Sequence, residues 1–445
     1  MRLGDSLTFT SRRLTIAIGI YALTTIVFFL FADSAVIHEH TPWNHFALLA
    51  DAFRHGRLDL GGPPPAYTGN NDFARFEDKY FVVFPPFPAL LLLPIVALAK
   101  TPERVQDGKF FLLLAGIAPA VLFLALEKLG RFGRAEISER VSVALALLFA
   151  FGSVYFFSVE QGTVWFAAHV VAAALAALYL LFALEAEKPW LAGIALACGF
   201  ATRTPLLFAA PLFVLEALRV SASAEAIERR DWKALFASLD RARLLRLLVT
   251  FALPIAAVLA LMLWYNQARF HDPFEVGYQY LGITWQRRIQ KWGLFSYHYL
   301  AKNLGVLLTS LPYRTPGPGA AVPFQINAHG LALWLTTPLF LWLLWPKKTR
   351  APHLALWLTV ACVAVPTLFY QNTGWLQFGY RFSNDYSIFL FALLAIGGYR
   401  RGRLFWIAAT WAVLVNAFGA ATFGKPSGAA YYFQENTQRV LYQPD

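Results

Sequence analysis

Long apolar stretches recur along the whole chain and are separated by shorter segments that carry most of its charged residues. The stretch from Val141 to Phe157, for example, holds no charged side chain. A helix rises about 1.5 Å per residue, so about 20 apolar residues cross the roughly 30 Å of hydrocarbon in a bilayer. Because lipid cannot satisfy the backbone groups of an open sheet, the pattern predicts an all-α polytopic membrane protein.

We predict about eleven membrane-spanning helices in one domain that covers residues 1–445. Their approximate ranges are 14–32, 109–127, 141–157, 165–184, 189–202, 204–219, 247–266, 330–346, 353–370, 384–398 and 404–422. Lys and Arg are retained on the cytoplasmic side of a membrane, and three arginines precede the first apolar stretch. The N-terminus is therefore predicted to be cytoplasmic.

The stretch Phe84–Ala99 decides the topology, because it contains four prolines and gives only about 24 Å of helix. If it crossed the membrane, every later loop would change sides and the basic clusters would face outward. Those clusters are Lys128–Arg140, Arg219–Arg246, Lys347–Arg350 and Arg400–Arg403. An interfacial position for Phe84–Ala99 keeps all of them inside, and this is the position that we predict.

This topology leaves three polar segments on the outer face, namely Asp33–Gly108, Gln267–His329 and Gln371–Ser383. We expect interfacial helices in the first segment, and the short apolar piece Asn303–Leu311 in the second is predicted to be another. Any chemistry that needs polar groups is therefore expected on this side of the membrane.

The composition agrees with a membrane environment, since 58% of the residues are hydrophobic and only 14% are charged. The net charge of +12 lies in clusters between apolar stretches. It is therefore a signal of topology, and we predict no nucleic-acid partner, because no basic soluble domain is present to bind one. Cys198 and Cys362 both lie inside apolar stretches, which favours small core residues over a disulfide or a metal pair.

The first outer segment is rich in histidine and carries two candidate catalytic carboxylates. Asp51 and His55 are one helical turn apart, so they can hydrogen-bond and form an oriented acid/base unit, with Asn44 on the same face. The alternative is a solvated helix face without chemistry. Glu39 lies between His38 and another histidine and can bind a divalent cation, but three such residues in a row are a weak metal signal.

A third candidate carboxylate, Asp72, lies later in the same segment, close in sequence to the cations Arg75 and Lys79. A carboxylate beside two cations above an apolar interfacial stretch suits a lipid whose head group is a phosphate, since its tail would lie in the bilayer. The alternative is an ordinary solvated loop.

Two arginines lie where helices meet the outer face. Arg203 follows one apolar stretch and precedes another in the sequence ATRTP, and a charged group at such a junction is costly and usually functional. It can hold a phosphate through forked hydrogen bonds, although a snorkelling arginine is the alternative. Arg381, in QFGYRFSND, lies at the entrance of a later helix beside Tyr380 and Asp385.

Several motifs in this order resemble the GT-C glycosyltransferases, particularly the bacterial protein O-mannosyltransferase and aminoarabinose-transferase branch. They are KYFVVFPPFPALLLLP in the first outer segment, GFATRTP at the helix junction, FGYRF near the last outer segment, and the outer-loop pattern WYNQARFHDPFEVGYQY. The resemblance covers nearly the whole chain. It departs from the family at Pro42 and Trp43, where an acidic pair is usual, and at Phe84, where the aminoarabinose branch has a lysine.

The resemblance implies a GT-C-like fold in a bacterial inner (plasma) membrane and transfer of a sugar from a polyprenyl-phosphate donor, within the cell envelope. The acceptor is a glycan, a lipid or a protein at the outer face, and a carboxylate in the first outer loop activates or orients it. The expected catalytic candidates are Asp51, Glu39 and Asp72. The candidates for binding the donor phosphate are Arg203, Arg381, Lys79 and Arg75, with Asn44, His55 and Tyr380 in supporting positions.

We therefore predict an inverting glycosyltransferase, in which the arginines stabilise the departing phosphate. We assign no metal or other cofactor, although a divalent cation is compatible with the sequence. A lipid or polysaccharide transporter or flippase is the first alternative; it would need charged pairs in mid-membrane, and the helices offer little beyond His169 and the edge-lying Glu160 and Glu216. A non-catalytic membrane scaffold with the same fold is the second.

Overall fold

The computed structural model describes residues 9–229, 232–283, 285–314, 321–349 and 351–433. The first ten α-helices in these residues are α1 (Ser11–Phe31), α2 (Ser34–His38), α3 (His45–Arg54), α4 (Phe87–Ala99), α5 (Asp107–Ala115), α6 (Ile117–Arg131), α7 (Glu139–Phe151), α8 (Tyr155–Val159), α9 (Val164–Ala183) and α10 (Pro189–Phe200). The later helices are α11 (Pro211–Ser221), α12 (Ala224–Arg229), α13 (Trp232–Ala237), α14 (Arg241–Phe270), α15 (Gln286–Trp292), α16 (Leu300–Thr309), α17 (Leu333–Thr336), α18 (Pro352–Leu368), α19 (Asn384–Ile396) and α20 (Arg403–Thr422).

The strands are short and lie in the connecting segments. β1 (Phe73–Phe76) and β2 (Lys79–Val82) form an antiparallel hairpin. β3 (Tyr313–Arg314), β4 (Phe324–Asn327) and β5 (Tyr432–Phe433) form a small mixed sheet in which β4 pairs with both neighbours. The described part of the chain is thus mostly helical, as the hydrophobic pattern predicts.

The core of the bundle is formed by α9 and α19. Every residue of α19 is buried, and α9 packs against α5, α6, α8, α10 and α19. The sequence of α9 is apolar on all sides and rich in alanine, which explains both facts, because small residues let neighbouring helices approach closely on every face. These two helices therefore provide the fixed frame of the molecule.

Other helices expose large apolar side chains. Six helical segments are long and apolar enough to cross a membrane among the described residues: Ser11–Phe31, Asp107–Arg131, Val164–Ala186, Thr204–Ser221, Arg241–Phe270 and Arg403–Thr422. On α14, Leu253 and Trp264 are more than half exposed, which is the expected state of side chains that face lipid. The protein is therefore a helical membrane protein.

Several predicted spans are interrupted in the structure, so the number of about eleven crossings stays a prediction. The span 109–127 is divided at Gly116 into α5 and α6. The span 141–157 is divided into α7 and α8. The span 330–346 becomes α17 followed by a 3₁₀ helix over Pro338–Leu344, whose proline removes a backbone donor at the break.

The basic clusters lie together at one end of the bundle. Ion pairs join Arg13 to Glu127 at 2.8 Å, Arg219 to Glu185 at 2.6 Å, and a lysine between α17 and α18, Lys348, to a glutamate before α7 at 2.6 Å. The start of α1 and the end of α6 therefore lie at the same end of the bundle. α4 packs beside α3, and its interfacial position stays a prediction.

Gly116 allows α1 to pack closely against the junction of α5 and α6. A Cβ atom at this position would lie 2.8 Å from the carbonyl oxygen of Tyr21 on α1, and a backbone atom cannot move aside easily. We therefore expect Gly116→Ala to lower the free energy of unfolding by about 1–3 kcal/mol.

The matched control is Gly19→Ala on α1, where an added Cβ meets no atom within 4 Å. Thermal unfolding of both variants in detergent measures the difference. Equal melting temperatures would contradict the close contact between α1 and the α5–α6 junction.

Candidate functional site

Three polar side chains form a buried cluster where α9, α10 and α19 end on the same side of the bundle. The Asp385 carboxylate, in the first turn of α19, accepts hydrogen bonds from Arg203 Nε at 3.0 Å and Nη2 at 2.6 Å. It also accepts a hydrogen bond from His169 Nδ1, on α9, at 3.1 Å. Asp385 and His169 are 1% and 0% exposed, so the carboxylate is paired and fully hydrogen-bonded, as a buried charge must be.

The sequence ATRTP places Arg203 in this cluster. α10 ends at Phe200, where the Thr202 hydroxyl donates to the carbonyl of Cys198 at 2.8 Å. Pro205 has no N–H group, so the α-helical ladder cannot continue through it. Arg203 consequently adopts an extended backbone conformation, and its side chain reaches Asp385 across the end of the bundle.

Arg381 lies beside the cluster but is held differently. Its residue exposure is 5%, and its guanidinium carbon lies 4.7 Å from the ring centre of Phe166 and 5.8 Å from that of Phe382. No hydrogen bond between described residues uses its guanidinium, and Nε is buried without a partner. Burial and the nearby Arg203 lower the pKa of Arg381 to about 9, so it remains a cation at neutral pH.

Asp72 lies on the other side of Arg381, immediately before β1. Its carboxylate accepts a hydrogen bond from Trp165 Nε1, in the first turn of α9, at 2.8 Å. It interacts electrostatically with Arg381, but the two groups are farther apart than the 4.0 Å of an ion pair. Burial raises the pKa of Asp72, while the hydrogen bond from Trp165 and the charge of Arg381 oppose that increase.

His45 anchors the backbone next to Asp72. Its Nε2 donates to the carbonyl of Asn71 at 2.8 Å, and its ring stacks on Phe73 with ring centres 4.2 Å apart. Asp72 itself has a φ of +61°, a left-handed conformation that aspartate tolerates better than most residues. The anchor on α3 therefore fixes an irregular turn that directs the carboxylate toward α9.

Two phenols complete the cluster, one from the outer segment Gln267–His329 and one from the residue just before Gln371–Ser383. Tyr278 and Tyr370 interact electrostatically with each other and with Asp72 and Arg203. Burial raises the pKa of both phenols, so they stay protonated and can donate hydrogen bonds. All three predicted outer segments thus contribute side chains to one site.

The structure brings four of the predicted site residues together. Asp72, Arg203 and Arg381 line the cluster, and Tyr380 lies buried beneath it with its hydroxyl 3.4 Å from that of Thr367. Arg203 was predicted as a phosphate clamp, but Asp385 already occupies its forked pair of donors.

Three other candidates, from the first half of the outer segment Asp33–Gly108, lie elsewhere. Asp51 and His55 do approach each other, with 3.5 Å between Oδ2 and Nδ1, but Asp51 also pairs with Arg54, which donates to the carbonyl of Lys100 at the end of α4. Glu39 is exposed after α2. Asp51 and His55 lie along the α3–α4 contact, whereas Glu39 follows α2, and among the described residues no hydrogen bond or ion pair joins any of the three to Arg381.

The other three candidates also have separate positions. Asn44 is buried and accepts a hydrogen bond from Tyr67 at 3.2 Å. Arg75 is exposed and pairs with Asp78 at 2.7 Å. Lys79 lines a separate groove of about 270 Å³ that lies between the β1–β2 hairpin and the end of α14.

Sequence reasoning missed Trp165, Tyr278 and Tyr370 as site residues, and it left His169 and Asp385 without a role. A signal was present for His169, since α9 contains no Asp, Glu, Lys or Arg and His169 is its only histidine. The described residues contain no group of three His, Cys, Asp or Glu side chains that could hold a metal ion.

No protein-family model and no curated protein matches this sequence. The fold is similar to solved structures of an oligosaccharyltransferase from Archaeoglobus fulgidus. The apo crystal structure is 13% identical with a TM-score of 0.46, over 99% of this chain and 60% of that one. The complex of AglB with an inhibitory peptide and a dolichol-phosphate is 13% identical with a TM-score of 0.45, over 95% of this chain and 56% of that one. This chain thus spans less than two thirds of the length of the structures that it matches.

The buried His45 predicts a pH-dependent stability. Burial lowers its pKa to about 4 from 6.5, so between these values the unfolded chain binds a proton that the folded chain does not. The free energy of unfolding should therefore fall as the pH drops from about 6.5 to about 4, by up to about 1.4 kcal/mol per pH unit for this residue.

His45→Gln keeps an amide donor for Asn71 but cannot titrate, so its melting temperature should depend less steeply on pH. The exposed His38 provides the control variant, His38→Gln, which should keep the wild-type slope. Melting temperatures in detergent at pH 5, 6 and 7 measure the slopes. A slope for His45→Gln as steep as that of the wild type would refute the assignment.

Proposed function

We propose that the protein is a membrane glycosyltransferase that moves a sugar from a polyprenyl-phosphate donor to an acceptor at the outer face of the membrane. The observation that carries this proposal is the buried guanidinium of Arg381, which has no hydrogen-bond partner among the described residues. A desolvated cation with unused donors is a strong site for a phosphate oxygen, since such charge-assisted bonds gain strength in a low dielectric.

The two arginines of the cluster have different roles, because only one of them is paired with a carboxylate. Asp385 neutralises Arg203 through two hydrogen bonds, so this pair contributes structure and little net charge. Arg381 supplies a positive charge that no ion pair among the described residues neutralises, so it can bind the single negative charge of a phosphate that carries a lipid on one side and a sugar on the other. We assign the phosphate to Arg381, with Arg203 as a supporting neighbour.

Asp72 is the proposed base, because its carboxylate interacts electrostatically with Arg381 and yet stands apart from it by more than an ion-pair distance. It takes the proton of an acceptor hydroxyl, whose oxygen forms the new bond to the anomeric carbon of the sugar. The bond from that carbon to the phosphate oxygen breaks, and its electron pair stays on the phosphate. Arg381 stabilises the charge that develops there, and the direct displacement inverts the anomeric centre.

The position of the site within the bundle suits a donor that is held in the membrane. The site lies at the end of α9 that is opposite to the basic clusters. The positive-inside tendency assigns the end with the basic clusters to the cytoplasm, and so it assigns the site to the outer side. Exposed apolar side chains on α1 and α14 indicate a lipid-facing surface, so a polyprenyl tail can remain in the bilayer while its phosphate enters the cluster.

Substitution of the base separates the three candidate carboxylates. Asp72→Asn should lower the rate of sugar transfer by about 10²- to 10⁴-fold, because a positioned base contributes about that much. Asp51→Asn and Glu39→Gln should retain near wild-type rates, since among the described residues no hydrogen bond or ion pair joins either of them to Arg381. Transfer from a radiolabelled polyprenyl-phosphate sugar in proteoliposomes measures all three. An inactive Asp51 variant beside an active Asp72 variant would reverse the assignment.

Removal of the free guanidinium tests the phosphate site. Arg381→Ala should reduce kcat/KM for the donor by about 10²- to 10³-fold, as for other groups that stabilise developing charge. Arg75→Ala is the matched control, because Arg75 is exposed and already paired with Asp78. Equal donor affinity in the wild type and the Arg381 variant would remove Arg381 from the site.

The hydrogen bond from Trp165 to Asp72 predicts a change in pH dependence. It stabilises the charged carboxylate and so lowers the pKa of Asp72 against the effect of burial. Trp165→Phe should therefore raise that pKa further and move the acidic limb of the rate profile to higher pH. Trp264→Phe, on the exposed face of α14, should leave the profile unchanged, and a profile for Trp165→Phe identical to it would contradict the contact.

A further inference from the structure

His169 has one ring nitrogen whose bonding is explained and one whose bonding is not. Nδ1 lies 3.1 Å from the Asp385 carboxylate, which can only accept, so Nδ1 carries the proton of the neutral ring. Nε2 is then an acceptor. It is buried in a residue with 0% exposure and has no hydrogen-bond partner among the described residues.

An unmet acceptor on His169 lies in the same cluster as the unmet donors of Arg381. Both side chains pack on Phe382, with its ring centre 6.1 Å from that of His169 and 5.8 Å from the guanidinium carbon of Arg381. Phe166, which also contacts Arg381, is one helical turn before His169 on α9. A ligand that accepts hydrogen bonds at one end and donates one nearby would satisfy both groups.

The environment of this nitrogen differs from that of an ordinary core histidine. His45 also has an unpaired nitrogen, but its ring lies among the aromatic side chains Phe73, Phe84 and Trp165. His169 instead interacts electrostatically with both arginines of the cluster. Its tautomer is fixed by Asp385, and Asp385 is fixed in turn by the two hydrogen bonds from Arg203.

We propose that His169 Nε2 accepts a hydrogen bond from a hydroxyl group of the sugar whose phosphate is bound by Arg381. His169 then recognises the sugar, and Asp385 is the residue that positions His169. This inference rests on the proposed function, since it requires the phosphate at Arg381. It goes further by assigning recognition of the sugar to a residue inside the membrane bundle. The ligand class is a hydroxylated sugar linked to a lipid phosphate.

Two probes separate the phosphate from the sugar. The first is a short-chain polyprenyl phosphate without a sugar, and the second is the set of its glucosyl, mannosyl and arabinosyl esters. The full-length wild type should bind the phosphate alone, and it should bind at least one of the esters more tightly. Equilibrium binding in detergent measures both affinities.

Two substitutions of His169 separate its two nitrogens. The shorter side chain of His169→Asn can still donate to Asp385 but does not reach the position of Nε2, whereas His169→Gln does reach it. We expect the Asn variant to lose about 5- to 10-fold in affinity for the preferred ester, the effect of one hydrogen bond, with the affinity for the bare phosphate unchanged. The Gln variant should recover most of the loss.

His353→Gln is the matched control, because His353 also has a buried unpaired Nε2 but lies in the first turn of α18, at the other end of the bundle. It should bind both probes like the wild type. A ligand series keeps the test independent of folding: esters that lack one sugar hydroxyl at a time should identify one hydroxyl whose removal weakens wild-type binding by the same factor.

The outcomes that overturn the inference are distinct from those that overturn the function. If the wild type binds the bare phosphate and every ester equally, or if the Asn variant loses affinity for both probes alike, His169 does not read the sugar. If the wild type binds the bare phosphate no better than Arg381→Ala does, the phosphate site itself is wrong, and the inference falls with it.

Discussion

The site depends on one buried carboxylate and the two groups that hold it. An uncompensated charge inside a helix bundle costs several kcal/mol, and loss of one partner of a buried pair costs about 3–5 kcal/mol. Asp385 can therefore remain where it is only while Arg203 and His169 both reach it. Since these residues belong to α19, the end of α10 and α9, the requirement fixes three helix ends relative to one another.

The residues that contact the outer segments lie close in sequence to the residues that hold Asp385. Arg381 precedes Asp385 by four residues, so the start of α19 carries both the buried pair and the free guanidinium. Trp165 precedes His169 by four residues. The start of α9 therefore carries both His169, which donates a hydrogen bond to Asp385, and Trp165, which donates one to Asp72. The loops can therefore be irregular while the site that they line stays rigid, as the proposed chemistry would require.

The sequence was sufficient for the features that depend on local composition. Apolar length predicted the helices, and Arg203 and Arg381 stood out because a charge beside an apolar stretch is rare. The interruption of 330–346 was missed although Pro338 marks it, because the residues on both sides of the break are apolar. The local spacing of Asp51 and His55 was interpreted correctly as a contact, but spacing cannot tell which side of α3 faces the site.

Contacts between residues that are far apart in the sequence could not be predicted either, because local patterns do not show which residues meet. His169 and Asp385 are 216 residues apart in the chain, and nothing in either local pattern names the other. Asp72 gained its significance only from Trp165, which is 93 residues away. Such contacts are set by how the helices pack, so a single sequence can nominate the charged residues but cannot sort them into one site.

The two ends of α9 show why an unpaired charge carries more functional weight than a paired one. At the end near Ala183, buried Lys128 pairs with Glu187 at 2.7 Å and donates to the carbonyl of Leu181 at 2.8 Å, while Arg134 pairs with Glu185. At the other end Arg381 is as deeply buried but has no such partner among the described residues. Burial destabilises the cation at both ends. Only at the end near Ala183 do ion pairs and hydrogen bonds between described residues offset this cost. An anion bound at Arg381 would offset that cost, and this difference between otherwise similar helix ends is the physical basis of our proposal that the donor binds there.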